Sequence, residues 1–271
     1  MNNELKEICG RQENSTERNY PWAVSIMLKN GANRLGGSII SPYHIITAAH
    51  GFMSFQKGDE DPCIMVNYRS HGDVQDRLVA YGGKCIRGYS PTLPNHPNCT
   101  VPAVTYNKIR SVMIDQSFAL NTCHNGHDWA IIELEESPSY EFRSQHKIFR
   151  INFSDSLRPI CLPPPSPIIG HLVTVAGWGR NYVFNESGPM IHEIPMIISP
   201  KCQRPWSDKG DSGSGMEQID ERGRSILLAI TSFGTKGCPA NELARFTRVS
   251  NYLLQICTTT GICYSQDDEL N

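Results

Sequence analysis

The chain has no long hydrophobic segment, no excess of basic residues and no cysteine pairs spaced for zinc. No apolar run among its 271 residues reaches the length of a membrane span. A net charge of −2 argues against a nucleic-acid partner, which requires a basic patch. The ten cysteines lack the paired Cys-x-x-Cys spacing of zinc ligands, so no metal is expected. With an apolar content of 39%, the composition indicates a globular protein without a nucleic-acid or membrane partner.

Ten cysteines are nevertheless more than a cytosolic enzyme of this size usually carries. Disulfides formed in an oxidising compartment are the better interpretation. The four Asn-x-Ser/Thr sequons, at Asn14, Asn98, Asn152 and Asn185, agree with secretion and glycosylation. The first six residues contain no apolar signal region. We therefore predict a secreted, extracellular glycoprotein whose signal peptide is not visible in this chain.

Residues 209–215 contain a serine between glycines, in the order Lys-Gly-Asp-Ser-Gly-Ser-Gly. Glycine adopts backbone angles that other residues avoid, so this run predicts a tight turn with exposed amides. In such a turn the Ser212 hydroxyl projects, and the amides of Gly210 and Ser212 are placed to bind a developing oxyanion. Taken alone, the motif is more often an ordinary surface turn.

Two further motifs supply the groups that a nucleophilic serine needs. A serine hydroxyl reacts only when a base takes its proton and a third group orients that base. His50 follows the apolar run 45–49, and Asp128 precedes the apolar run 129–134. Singly, His50 could be a buried, hydrogen-bonded histidine and Asp128 a turn cap. Together, and in the order His, Asp, Ser, the three motifs indicate a catalytic triad.

These motifs make the chain resemble the trypsin/chymotrypsin family of serine proteases. The resemblance implies an all-β fold of two antiparallel six-stranded β-barrels with a C-terminal helix. It also implies a serine endopeptidase without a cofactor, in which Ser212 attacks the peptide carbonyl, His50 accepts its proton and Asp128 orients the imidazole. Ser232 matches the family serine that hydrogen-bonds this aspartate. The resemblance extends over most of the chain, through residues 20–26, 36–40, 160–163, 175–179 and 231–234.

The same resemblance divides the chain into an N-terminal pro-like segment (1–20), a protease domain (21–265) and an acidic tail (266–271). The first barrel covers about 21–136 and the second about 168–257. We expect residues 1–20 to be loosely held apart from Cys9. Residues 85–105 are predicted to be an inserted loop, and this loop and residues 130–136 look most like trypsin-like proteins of nematodes. Alternating runs predict strands at 23–28, 38–40, 44–47, 77–81, 171–179, 191–198 and 225–233, and a helix over 246–256.

The cysteines suggest a set of disulfides that only partly follows the family. By resemblance Cys9 pairs with Cys161, although another partner stays open. Cys238 lacks its usual partner, because Asp208 stands in that place, and Cys202 is the substitute. Leu35 and Gly51 occupy the two positions where the family has a cysteine pair bracketing the histidine. Two disulfides are expected among Cys63, Cys85, Cys99 and Cys123 without a chosen connectivity, and one between Cys257 and Cys263.

Activation departs from the family. There, cleavage frees an apolar amino terminus that pairs with the aspartate beside the serine, which is Asp211 here. No such sequence precedes Pro21, and cleavage after Arg11 or Arg18 frees only a polar residue. Lys209 is an alternative partner for Asp211, since a buried unpaired carboxylate is costly.

The specificity pocket departs as well. Trp206 stands at the pocket floor, and Gly234 and Ala244 match its walls. This set gives no support for a trypsin-like preference for Lys or Arg, and a small or apolar preference is the expectation. We predict a monomeric zymogen that acts on a protein or peptide substrate, with a protein inhibitor as a further candidate partner. The alternative is a non-catalytic protease homologue that acts as a protein-binding module.

Overall fold

The computed structural model describes residues 1–12, 19–55, 65–68, 71–86, 99, 104–121, 126–135, 149–170, 172–181, 186–187, 189–198, 212–234 and 244–263. Strands make up most of the regular structure in these segments. None of the helices found there is long and apolar enough to cross a membrane.

The described residues of the first half form three short helices and eight strands. The helices are α1 (Asn2–Ile8), α2 (His71–Gln75) and α3 (Gln116–Asn121), and a 3-10 turn covers Ala49–Phe52. The strands are β1 (Ala23–Met27), β2 (Asn33–Ile39), β3 (His44–Thr47), β4 (Met53–Phe55), β5 (Met65–Tyr68), β6 (Leu78–Tyr81), β7 (Thr105–Ile114) and β8 (Ala130–Leu134).

In the second half, the segments that the structure describes add seven strands and a further helix. The strands are β9 (Leu172–Gly177), β10 (Arg180–Asn181), β11 (Glu186–Ser187), β12 (His192–Ile197), β13 (Gly215–Ile219), β14 (Ser225–Gly234) and β15 (Ala244–Arg248). A 3-10 turn over Val249–Tyr252 then leads into α4 (Leu253–Thr260).

Six strands of the first half close into an antiparallel barrel in the order β1, β2, β3, β8, β7, β6. Isoleucines are concentrated in the adjacent strands β3 and β8, where Ile45 pairs with Ile132 and Ile46 with Ile131. Branched side chains of this kind favour the extended conformation and fill the pleated surface. All four are at most 1% exposed, so these two strands form the centre of the barrel core.

The described strands of the second half form a five-stranded antiparallel sheet in the order β12, β9, β13, β14, β15. Strand β14 lies between β13 and β15, with Leu227 and Ile230 buried against the core. The predicted all-β, trypsin-like fold with a C-terminal helix is confirmed.

The amino-terminal segment is more ordered than its polar sequence predicts. Residues 2–8 form α1, whose Leu5 is 1% exposed, and Cys9 is joined to Cys161 by a disulfide. Gly10 follows with φ +64°, and a Cβ there would meet the Ser225 carbonyl oxygen at 2.4 Å. The expectation of a loose segment is therefore wrong for residues 1–12. Their order comes from tertiary contacts, and a seven-residue helix with few apolar residues gives little local signal.

The carboxyl-terminal helix begins later than predicted. Phe246 lies in β15 opposite Thr231, and the α-helix starts only at Leu253. The apolar spacing that suggested a helix over 246–256 runs through a strand, a 3-10 turn and a helix. Val249, Tyr252 and Ile256 are buried nonetheless and belong to the hydrophobic core. Helix α4 ends at Gly261 in the left-handed conformation that such ends favour.

Two further disulfides lie within the described residues. Cys85 is bonded to Cys99, and Cys257 to Cys263. Cys63, Cys123, Cys202 and Cys238 lie outside the described residues.

Leu35 and Gly51 pack directly against each other beside the 3-10 turn that contains His50. A Cβ on Gly51 would lie 2.1 Å from Leu35 Cδ1 and 2.7 Å from Cδ2. Leu35 is itself buried, with 1% of its surface exposed. The leucine therefore fills the volume that a side chain at residue 51 would need.

Gly51→Ala is expected to destabilise the fold by about 1–3 kcal/mol, because the added methyl overpacks a buried contact. Urea unfolding measures the change. In a Leu35→Ala background the same substitution should cost clearly less, because the truncated side chain leaves room. Equal costs in the two backgrounds would show that the Leu35 contact is not the reason.

Candidate active site

His50 is held at the end of the buried strand pair β3 and β8. It follows β3 through Ala48 and Ala49, both 0% exposed, and lies in the 3-10 turn. Its Nδ1 lies 2.7 Å from Asp128 Oδ2, and its backbone N–H donates to Asp128 Oδ1 at 2.8 Å. The imidazole stacks on the Phe233 ring with centroids 5.3 Å apart. One edge of the ring is thus bound to Asp128, and one face is covered.

Asp128 lies two residues before β8, with only 1% of its side chain exposed. The Ser232 hydroxyl donates to its Oδ2 at 2.5 Å, in addition to the contacts with His50. Burial by itself raises the pKa of this carboxyl. Electrostatic attraction to His50 and hydrogen bonds from His50 and Ser232 outweigh that effect and leave the pKa of Asp128 below its usual value. Asp128 is therefore a buried, ionised carboxylate at neutral pH.

Ser212 lies in a turn that is bonded to both halves of the molecule. The Gly36 N–H of β2 donates to the Ser212 carbonyl at 2.7 Å. The Gly213 N–H donates to the Thr231 carbonyl of β14 at 2.8 Å, and the Thr231 N–H donates to the Ser214 carbonyl at 2.9 Å. Thr231 directly precedes Ser232, which bonds Asp128. One strand therefore holds both the serine turn and the carboxylate.

Gly213 brings this turn against the segment that leads to His50. Its φ is +85°, and a Cβ there would lie 2.3 Å from Thr47 Oγ1 and 3.1 Å from the Ala48 nitrogen. Only glycine fits such a backbone angle and approach without strain. The structure thus brings the three residues predicted from the sequence into one region, between the barrel and the second sheet.

His127, the residue before Asp128, is bonded to Tyr252 and Asp115, and this group was not predicted. His127 has a positive φ of +62°. Its N–H donates to the Tyr252 hydroxyl at 3.0 Å, and its Nδ1 lies 3.3 Å from Asp115 Oδ2. Burial raises the pKa of Tyr252. Asp115 and Tyr252 are remote from His127 in sequence, so no local pattern could have joined them.

The predicted pocket walls face each other across two strands, since Gly234 of β14 pairs with Ala244 of β15. Both residues are small. Trp206, Lys209, Gly210 and Asp211 lie outside the described residues. Within the described segments, no group of three or more His, Cys, Asp or Glu side chains is arranged to hold a metal ion.

The pKa of Asp128 predicts how the stability of the fold depends on acid. Because the folded-state pKa lies below the usual 3.8, the ionised carboxylate stabilises the fold above about pH 4. That contribution is lost as the pH falls through the folded-state pKa. Urea unfolding between pH 2.5 and 7 should therefore show a steep acid loss of stability that Asp128→Asn makes shallower.

Asp76→Asn is the matched control, because Asp76 is an exposed carboxylate 3.4 Å from Lys29. It should leave the acid slope close to that of the wild type, since exposed ion pairs contribute little. The same slope in Asp128→Asn and in the wild type would contradict the assignment.

Comparison with known proteins gives the same picture as the fold. A family model described as Trypsin matches residues 8–256. The chain is 26% identical to CLIP domain-containing serine protease B8 of Anopheles gambiae, over 89% of this chain and 64% of the relative. It is 25% identical to CLIP domain-containing serine protease B15 of the same species, over 90% of this chain and 70% of the relative.

A third relative is the Suppressor of tumorigenicity 14 protein homolog of Bos taurus, with 23% identity over 88% of this chain and 26% of the relative. The chain therefore spans only part of the length of each of these relatives. They come from an insect and a mammal, and the nematode placement stays a prediction. The family model covers nearly the whole chain. The chain belongs to the trypsin family of serine proteases.

Proposed function

We propose that the chain is a secreted serine endopeptidase with Ser212 as nucleophile, His50 as general base and Asp128 as the residue that orients the base. The observation that carries the proposal is the buried Asp128 carboxylate. It accepts hydrogen bonds from the His50 backbone and from Ser232, and its Oδ2 lies 2.7 Å from His50 Nδ1. Burying an ionised carboxylate is costly. In the proposed reaction the Asp128 carboxylate stabilises the positive charge that the His50 imidazole acquires.

In this proposal Asp128 keeps the proton of His50 on Nδ1, which leaves Nε2 free to take the Ser212 proton. The Ser212 oxygen attacks the peptide carbonyl, and the amides of Ser212 and Gly210 stabilise the oxyanion. The imidazolium then protonates the leaving amine, and an acyl-enzyme remains. Water, deprotonated by His50, hydrolyses this ester and regenerates Ser212.

The substrate is a protein or peptide, with a small or apolar side chain before the cleaved bond. The cross-strand pair Gly234 and Ala244 supports this preference, because two small walls leave space but no charge. Trp206 is proposed as the floor of the pocket. Trypsin-like recognition of Lys or Arg would need a carboxylate there.

We further propose one protease domain over residues 21–265, with residues 1–20 as a pro-like segment linked to it by Cys9 and Cys161. Three disulfides within the described residues support secretion, since such bonds persist in oxidising compartments. Glycosylation, activation by cleavage and a monomeric state belong to the same proposal, with Asp211 as the residue that pairs with the activating cation.

Labelling with a fluorophosphonate probe tests the proposed nucleophile. The wild type should be labelled, either as the intact chain or after limited proteolysis, and Ser212→Ala should not be labelled at all. Ser156→Ala is the control, because Ser156 is exposed and its hydroxyl is hydrogen-bonded to that of Ser154. It should be labelled at the wild-type rate.

Labelling of the intact chain would mean an enzyme that needs no cleavage, and labelling only after cleavage would mean a zymogen. Terminal sequencing would then locate the activation site. A folded wild type that is not labelled in either state would overturn the proposal in favour of a non-catalytic, protein-binding homologue.

A further inference from the structure

Arg77 is an almost fully buried cation that the proposed chemistry does not use. It lies just before β6 and is 2% exposed. A buried charge is costly unless hydrogen bonds and other contacts compensate it, so such a residue usually has a specific task. Two contacts of its side chain indicate that task.

Arg77 contacts the turn that contains His50. Its NH2 group donates to the Gly51 carbonyl at 2.9 Å. Its guanidinium carbon lies 4.9 Å from the centroid of the Phe52 ring. Gly51 and Phe52 are the two residues that directly follow His50 in the 3-10 turn. The arginine thus holds the carboxyl-terminal side of this turn by a charge-assisted hydrogen bond and a cation–π contact.

The same turn has no covalent support at this point. Gly51 and Leu35 stand where a disulfide would otherwise join β2 to the turn, and they meet only by van der Waals contact. A short 3-10 turn has few internal hydrogen bonds, so its position depends on what surrounds it. Leu35 packs on Gly51 directly, while Arg77 holds the Gly51 carbonyl and the Phe52 ring.

We propose that Arg77 is a positioning residue for His50, and that together with Leu35 it replaces the missing disulfide. Its effect is to keep the His50 backbone N–H at 2.8 Å from Asp128 Oδ1 and Nδ1 at 2.7 Å from Oδ2. The expected effect of Arg77 on reactivity rests on the proposed function. Its expected effect on the geometry of the His50 turn does not depend on that function.

Arginine suits this task better than lysine. Its planar guanidinium donates in fixed directions and stacks on an aromatic ring at the same time. A lysine at residue 77 can reach one acceptor but is a compact point charge that cannot do both. Arg77→Lys should therefore have an intermediate effect, and Arg77→Met, which keeps the stem without any donor, the full effect.

The first measurement is amide hydrogen exchange in the full chain, which needs no activity. In Arg77→Met the His50 amide should lose protection by about tenfold or more, while β8, a neighbour in the barrel, keeps its protection. Arg150→Met is the matched control, since Arg150 is exposed and bonds to Asn152. It should leave both segments unchanged.

The second measurement is the rate of fluorophosphonate labelling, in whichever state the wild type reacts. Arg77→Met should react about 10- to 100-fold more slowly, because small displacements of a catalytic group have effects of this size. When Leu35→Cys and Gly51→Cys are introduced together into the Arg77→Met variant, both the labelling rate and the protection of the His50 amide should be restored. Mass spectrometry would verify that the new cysteines pair with each other.

Rescue by the cysteine pair supports a positioning role, because the disulfide holds the turn without replacing the arginine's charge. Unchanged protection and rate in Arg77→Met would overturn the proposal. Equal loss of protection in β8 would overturn it too, since it would mean a general loss of packing. If the wild type is never labelled, the proposed function fails, but the exchange of the His50 amide still decides the role of Arg77.

Discussion

The buried carboxylate of Asp128 is the constraint on which the rest of this structure depends. An ionised group at 1% exposure must receive hydrogen bonds from its surroundings, and here they come from opposite sides. The His50 turn belongs to the first barrel, whereas Ser232 belongs to the sheet of the second half. Satisfying one carboxylate therefore fixes the two halves relative to each other. The net lowering of the pKa of Asp128 reflects how completely these partners compensate for burial.

The serine turn uses the same interface. Its backbone is bonded to Gly36 of β2 and to Thr231 of β14, so its position also depends on both halves. Gly213 lets the turn approach Thr47 and Ala48 more closely than any side chain permits. The nucleophile of the proposed triad is thus placed by main-chain contacts, while the histidine and aspartate are placed by a side-chain carboxylate. The serine turn therefore needs both halves, whereas the contacts between His50 and Asp128 lie within the first half.

The His50 turn shows how a fold can keep a geometry while changing what maintains it. The Leu35 side chain occupies the space beside Gly51, which has no side chain. Van der Waals packing joins the two residues, and no disulfide does. Such a contact stabilises only in the folded state, whereas a disulfide also restricts the unfolded chain. The compensating contacts then have to be strong in the native state. A buried arginine bonded to the turn has that property.

The sequence by itself determined the family, the all-β class and the order of the histidine, aspartate and serine motifs. These features are encoded locally, by alternating apolar residues and by glycines beside Ser212. Only the tertiary structure decided that residues 2–8 form a helix, that β15 and a 3-10 turn precede α4, and that Arg77 reaches Gly51. The tertiary structure also decided that Tyr252 and Asp115 lie beside His127. Each of these features depends on contacts between residues far apart in the chain, and no local pattern records which distant residue will be the neighbour.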